Sequence, residues 1–202
     1  MLKTKQLIVI SGASTAGKTT LIDRMWSGEC SEIGKQLGFD GPTSWHYVQG
    51  NKLKRVKEQY IERVVLHYDI YSHSLSNGEF RHLAELIGAS EHVIVLTLCT
   101  SYKLLNHRAI FRILEFLYPR ALPSGIKSRG LIRTWKRFRR LLKKRILFRN
   151  CSYSLLMYQN WSRFINRFDV ANHLLLETAR MDISRAKPFE MSDAQRILSG
   201  RS

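Results

Sequence analysis

Short, continuous apolar runs alternate along this chain with longer segments of helical periodicity. Residues 6–11, "QLIVIS", lack the polar alternation of a half-exposed strand and predict a strand buried on both faces. The stretch "ERVVLHYDI", which ends its apolar run at Asp69, predicts a second strand. Residues 91–99 and 172–177 predict two more.

Helical segments separate these strands. Residues 19–27 place apolar side chains at the spacing that packs a helix against a sheet. The pattern predicts further helices over 51–60, 80–87 and 101–118, the last ended by Pro119. Residues 38–50 read as a loop with one short strand. Strands that alternate with helices predict an α/β fold, a parallel sheet with helices on both faces, arranged as a three-layer sandwich.

Positive charge is concentrated in one region. The chain of 202 residues has a net charge of +17, and residues 116–168 contain 14 Lys or Arg and no acid. We therefore expect a single domain over 1–202 that carries a basic helical, lid-like insertion at about 119–168. Within it, residues 127–150 have an apolar stripe among basic residues, which suits a lid over an anionic substrate, a membrane-surface helix at anionic lipid, or, ranked third, a nucleic-acid contact.

Cysteine usage and the N-terminal pattern bear on location. The three cysteines are far apart and form no CxxC pair, which favours a reducing compartment over a disulfide framework or a metal site. The first apolar run is only four residues long, too short for a signal peptide or a membrane span. We expect a cytoplasmic protein, with peripheral association at the inner membrane face as an alternative.

A glycine-rich turn follows the first strand and carries the most specific signal. The residues match GxxxxGK[ST] in full: Gly12, Ala13, Ser14, Thr15, Ala16, Gly17, Lys18 and Thr19, followed by a second hydroxyl at Thr20. In such a loop, backbone N–H groups and a helix N-terminus surround phosphate, the lysine reaches the β- and γ-phosphates, and the hydroxyl holds Mg²⁺. The pattern predicts an ATP and Mg²⁺ site with Lys18 partly exposed at the helix start.

Asp69 ends the second predicted strand at the sheet edge where ligands of open α/β folds bind. This position suits an acid that holds Mg²⁺ or takes a proton from an acceptor hydroxyl, while a helix-cap or turn aspartate is the simpler alternative. His67 shares a strand face with Asp69 and could assist it, or could be a packed core residue. His46 and Tyr47 have the composition of a substrate-contacting loop, or of an aromatic-anchored connection.

The phosphate loop, the strand ending in Asp69, and "VIVLTLCTSYKLLNHR" with Arg108 resemble the small P-loop kinases of the nucleoside-monophosphate kinase and shikimate kinase type. The resemblance implies catalytic roles for Lys18, Asp69 and Arg108, with Arg108 leading into a lid over the ATP phosphates. It implies Thr19 and Asp69 as Mg²⁺ ligands. Because "HYDI" replaces the Asp-Gly-Phe-Pro-Arg run of nucleotide kinases, nucleoside monophosphates are disfavoured as acceptors.

The expected function is therefore an ATP-dependent, Mg²⁺-requiring kinase that phosphorylates a hydroxyl of a small molecule, sugar or glycan precursor. Three alternatives remain at this point. A sulfotransferase would use a similar loop for a phosphosulfate donor without Mg²⁺. An NTP-binding switch would use its basic helix for an anionic partner, a membrane surface or nucleic acid. A nucleic-acid-modifying kinase would account for the charge differently.

Overall fold

The computed structural model describes residues 2–50, 53, 59–70, 80–117, 150–179 and 186–200, with residues 112–117 described for their backbone alone. The strands are β1 (Leu2–Gly12), β2 (His46–Gln49), β3 (Gln59–Tyr60), β4 (Arg63–Asp69), β5 (Ser90–Cys99), β6 (Asn172–Glu177) and β7 (Lys187–Pro188). The helices are α1 (Lys18–Trp26), α2 (Ser31–Gln36), α3 (Arg81–Gly88), α4 (Tyr102–Leu117), α5 (Cys151–Ile165) and α6 (Met191–Ser199), with a 3₁₀ turn at Pro42–Ser44.

The described strands form one sheet in the order β2-β4-β1-β5-β6-β7, and the short β3 pairs with the start of β1. All neighbours are parallel except β6 and β7, which are antiparallel. Strand β1 lies centrally, and its residues from Leu7 to Ile10 are at most 1% exposed. Hydrogen bonding from both sides and burial of both faces account for the uninterrupted apolar run in its sequence.

Helices cover both faces of this sheet. His67 and Tyr68 are adjacent on β4 and so point to opposite faces. On the His67 side, Tyr47 stacks on the imidazole and meets Trp26 of α1. On the Tyr68 side, the phenol ring stacks on Trp161 of α5. These contacts place α1 and α5 on opposite faces, so the described residues form the expected three-layer α/β arrangement.

Most predicted elements are confirmed. β6 begins and ends at the predicted residues, and β4 ends at Asp69 as predicted. Helices α1, α3 and α4 differ from prediction by one residue at each end, and β5 begins one residue earlier than predicted. The prediction of a helix through residue 60 is wrong, because Gln59–Tyr60 is a strand paired with Leu2 and Lys3. The rest of that predicted helix lies outside the described residues, apart from Leu53.

The basic region is described only in its last part. Residues 118–149, which include most of the predicted basic helix 127–150, lie outside the described residues. Helix α5 follows, and its Tyr158, Trp161 and Ile165 are fully buried against the sheet. Among the described helices, none is both long and apolar enough to cross a membrane.

Candidate phosphate site at the end of the central strand

The glycine-rich loop connects the carboxyl end of β1 to the first residue of α1. The connection from β1 runs toward β2 on one side, whereas those from β4 and β5 run toward the other side. Such a reversal opens a crevice beyond the carboxyl ends of the strands, where open α/β sheets bind their ligands. The loop therefore lies at the ligand-binding edge of this fold.

Both glycines of the motif are required by local geometry. A Cβ on Gly12 would lie 2.7 Å from the carbonyl oxygen of Leu98, because β1 and β5 approach closely there. Gly17 precedes the helix with φ 99°, a left-handed conformation that other residues adopt only at a cost. The glycines thus let the chain leave the sheet and enter α1 within five intervening residues.

Thr15 adopts a conformation that is rare for a β-branched residue. Its φ is 75°, and it is the one non-glycine residue with positive φ in the described part of the chain. Its hydroxyl donates to the carbonyl oxygen of Leu105 at 3.0 Å, which ties the strained loop to α4. Strained backbone of this kind costs on the order of 1–3 kcal/mol and is concentrated at functional sites.

Lys18 is folded back along the loop. Its Nζ donates to the carbonyl oxygens of Gly12 at 2.9 Å and Ala13 at 2.8 Å, and pairs with Asp69 Oδ1 at 2.7 Å. Lys18 is only 4% exposed, so the expectation of a partly exposed side chain is wrong. The reason is that the loop carbonyls and the carboxylate replace the water that a helix-start lysine would otherwise meet.

Asp69 reaches Lys18 because of strand register. Gly12 and Asp69 are paired across β1 and β4, and the amide of Ile70 donates to the Gly12 carbonyl at 3.1 Å. The Asp69 side chain remains 36% exposed. The structure therefore brings together the lysine and the strand-end acid that the sequence singles out, with the acid still accessible from solvent.

The hydroxyl residues of the motif differ in exposure. Thr19 and Thr20 are exposed in the first turn of α1, while Ser14 is half-buried. The described ranges contain no group of three or more His, Cys, Asp or Glu side chains placed to hold a metal. Mg²⁺ bound with a nucleotide takes one or two protein oxygens, phosphate oxygens and water. The hydroxyl of Thr19 and the carboxylate of Asp69 are hard oxygen donors of this type, so this residue set fits Mg²⁺.

Arg108 lies on α4 beside the loop. Its guanidinium donates to the carbonyl oxygens of Thr178 at 2.9 Å and Thr15 at 3.4 Å. It also lies near Gly17, whose added Cβ would be 3.8 Å from Nη1. Arg108 is thus adjacent to the loop, and its described contacts support backbone carbonyls of Thr15 and Thr178. The residues from 118 to 120 in the predicted lid approach lie outside the described residues.

A buried set of hydrogen bonds that no sequence pattern indicates anchors the loop on the β5 side. The hydroxyl of Thr178 donates to the Ala16 carbonyl at 2.7 Å. The hydroxyl of Tyr158 donates to Leu98 at 2.7 Å and accepts from the Ala13 amide at 3.4 Å. Thr178 lies 162 residues from Ala16, so nothing local in the sequence indicates these pairings.

A second polar chain lies deeper on the same side, beneath the loop. Thr97 Oγ1 accepts from Trp161 Nε1 at 2.9 Å and lies 3.0 Å from both Ser11 Oγ and His173 Nε2. His173 also stacks on Phe189 with ring centroids 4.2 Å apart. Burial lowers the pKa of His173 to about 4, so this imidazole is neutral at physiological pH.

Comparison of the chain with protein-family models finds no match, and comparison with curated proteins also finds none. The function of the site is therefore argued from its own residues and geometry.

Proposed function

We propose that this protein is an ATP-dependent, Mg²⁺-requiring phosphotransferase that phosphorylates a hydroxyl group of a small molecule, sugar or glycan precursor. One observation supports this most directly. A complete GxxxxGK[ST] loop joins a central parallel strand to a helix, and its lysine contacts the carboxylate that ends the neighbouring strand, Asp69.

The proposed roles follow from the contacts. Lysine has three N–H donors, and the described contacts of Lys18 are with three oxygens. A phosphate that binds Lys18 must therefore displace at least one of them. Loop backbone and the N-terminus of α1 add N–H groups and partial positive charge for the phosphates.

Asp69 would act on the acceptor. When a phosphate takes over Lys18, the Asp69 carboxylate is released from that ion pair. It then accepts the proton of the acceptor hydroxyl as that oxygen bonds to the γ-phosphorus and ADP departs. Thr19 and Asp69 would hold Mg²⁺, which supplies neutralisation of phosphate charge. Arg108 would support the loop and the phosphates from the side on which it contacts Thr178. The basic segment 127–150 is proposed as a lid or an anionic-ligand contact.

Thermal unfolding of the full chain with ATP, GTP or a phosphosulfate donor, each with and without Mg²⁺, tests this proposal. A ligand at 100 times its Kd stabilises the folded state by about 2.7 kcal/mol. For a chain of this size that corresponds to a rise in Tm of roughly 5–10 °C. We expect the largest rise with ATP and Mg²⁺ together. A larger, Mg²⁺-independent rise with the phosphosulfate donor would favour a sulfotransferase instead.

Turnover separates a kinase from a slow NTP-binding switch. Mixtures of sugars, polyols and glycan precursors, incubated with ATP labelled in the γ-phosphoryl group, should yield a labelled organic phosphate. Release of labelled inorganic phosphate alone, at the same slow rate with every mixture, would contradict phosphoryl transfer and support a switch.

A further inference from the structure

Three polar side chains form a line along the β2–β4 side of the phosphate loop. The hydroxyl of Tyr47 lies 3.1 Å from Nδ1 of His67. Nε2 of the same imidazole lies 4.0 Å from Oδ1 of Asp69. The line therefore runs from a tyrosine on β2 to the carboxylate that contacts Lys18.

The backbone fixes this arrangement. Tyr47 pairs with Val65 across β2 and β4, and His67 is two residues further along β4, so all three side chains share one sheet face. The Tyr47 and His67 rings are stacked with centroids 6.5 Å apart. Trp26 of α1 meets Tyr47 edge-on at 6.2 Å. These ring contacts restrict the orientation of the imidazole.

The position of Tyr47 favours one tautomer of His67. If the phenol donates to Nδ1, the imidazole proton is on Nε2 and is directed toward the negatively charged Asp69. The other tautomer would direct the Nε2 lone pair toward the carboxylate, which is electrostatically unfavourable. Burial raises the pKa of Tyr47, against the opposing effect of a hydrogen bond from Gln49 and with a smaller contribution from the carboxylates of Asp23 and Asp69, so its hydroxyl remains protonated and able to donate.

The separation of 4.0 Å between Nε2 of His67 and Oδ1 of Asp69 is too long for a direct hydrogen bond. A separation of 4.0 Å is compatible with one oxygen atom that lies about 2.8 Å from each of the two and bonds to both. The side chains of His67 and Asp69 are 17% and 36% exposed, so each is in part accessible to solvent.

We propose that this position holds the hydroxyl oxygen that receives the phosphoryl group, between Nε2–H of His67 and the carboxylate of Asp69. His67 is then a second catalytic residue, because it touches the reacting oxygen, and Tyr47 is a positioning residue that selects its tautomer. The inference rests on the proposed phosphotransferase function and adds to it the group that orients the acceptor.

The proposed step moves one proton and one phosphoryl group. The acceptor O–H proton passes to the Asp69 carboxylate while a lone pair of that oxygen forms the new bond to the γ-phosphorus. The bond from this phosphorus to the bridging oxygen of ADP breaks, and ADP leaves with those electrons. Nε2–H of His67 donates to the acceptor oxygen throughout and fixes its direction of attack without losing its proton. Water in the same position would give slow hydrolysis of ATP.

Imidazole ¹⁵N NMR tests the geometry without any nucleotide. Spectra of the parent and of the variant Tyr47→Phe, at a pH where His67 is neutral, report which ring nitrogen carries the proton. We expect the Nε2–H form in the parent and a shift toward a mixture in Tyr47→Phe, with no change in Tyr60→Phe, whose ring is on β3 and 62% exposed. An Nδ1–H form in the parent would overturn the proposal.

Kinetics test the catalytic part. In His67→Leu, ATP hydrolysis should be about tenfold slower, and so should phosphoryl transfer once an acceptor is known. Tenfold is the scale of one hydrogen bond to the reacting oxygen. Calorimetry should give an unchanged Kd for Mg·ATP. His67→Gln keeps an N–H donor and should recover part of the rate. His92→Gln, exposed at the amino end of β5, should match the parent.

The outcomes separate the two proposals. Parent-like rates in His67→Leu, with Mg·ATP bound, would overturn the role of His67 and leave the phosphotransferase proposal standing. If Mg·ATP does not bind the parent at all, the phosphotransferase proposal fails, and with it the catalytic role assigned to His67, whatever tautomer the NMR spectra report.

Discussion

The two sides of the central strand β1 differ in character at the phosphate loop. On the β4 side, Lys18, Asp69 and His67 are ionisable, and the carboxylate is 36% exposed. On the β5 side, the side chains of Tyr158 and Trp161 are fully buried. Tyr158 donates a hydrogen bond to the carbonyl oxygen of Leu98 and Trp161 donates one to the hydroxyl of Thr97, so these contacts involve neutral groups. One side is therefore polar and open, and the other is sealed.

This difference indicates how a strained loop can be both fixed and reactive. Hydrogen bonds fix the loop backbone on the sealed side, and they are made by the hydroxyls of Thr178, Tyr158 and Thr15. Loss of any of these bonds would leave a buried polar group without a partner. On the other side, under the proposed function, Asp69 and a ligand phosphate would compete for Lys18. The following predictions test this division, beginning with the largest effect.

Truncation of Trp161 should be the most damaging change. The indole packs on Tyr68, Phe80 and Phe164 and donates to Thr97. Trp161→Ala should lower the free energy of unfolding by about 3–5 kcal/mol, measured by urea titration. Trp26→Ala, whose half-buried ring meets Tyr47 on the β4 side, should cost clearly less. Equal losses would contradict the distinction between a sealed and an open side.

Acid should weaken the sealed side through His173. Its folded-state pKa of about 4 lies below the ordinary value of 6.5, so the unfolded chain binds the proton first as pH falls. The stabilisation present above pH 6.5 is therefore lost progressively from about pH 6.5 to 4, by roughly 3 kcal/mol in total. Unfolding titrations across this range should show a shallower pH dependence in His173→Gln. Identical curves for the two proteins would exclude this role for the imidazole.

Asp69→Asn should lower turnover, and it should also lower the free energy of unfolding, because the buried Lys18 cation loses its carboxylate partner. The amide keeps the size of the side chain but cannot accept the acceptor proton, so turnover should fall by on the order of 10² or more. Mg·ATP affinity should stay within a few fold, because the lost carboxylate is a proposed Mg²⁺ ligand and also a competitor for Lys18. Asp169→Asn, on an exposed turn after α5, is the control. Unchanged turnover would make Asp69 only a strand-end ion-pair residue.

Sequence pattern was sufficient for features governed by local or periodic chemistry. The buried run of β1, the glycine motif and the end of β4 at Asp69 were predicted because each is a property of adjacent residues. The pairing of Lys18 with Asp69 then followed from the fold, because two parallel strands bring their carboxyl ends together.

Contacts between distant segments could not be predicted from the pattern of adjacent residues. Tyr158 and Thr178 are ordinary residues in their own segments, and their role depends on how α5 and the end of β6 pack against the loop. The burial of Lys18 was missed for a similar reason, since its partners include the loop's own carbonyls. The sequence pattern predicts a helix where strand β3 lies, because a two-residue strand leaves no periodic signal.

Calorimetric titration of Mg·ATP into the parent, Lys18→Ala and Lys35→Ala tests the central claim most directly. Lys35 is an exposed lysine of α2, paired with Glu32, and serves as the matched control. We predict that the parent and Lys35→Ala bind with the same Kd, while Lys18→Ala, still folded by circular dichroism, binds far more weakly. Equal Mg·ATP affinity in the parent and Lys18→Ala would contradict the assignment of this loop as a phosphate site.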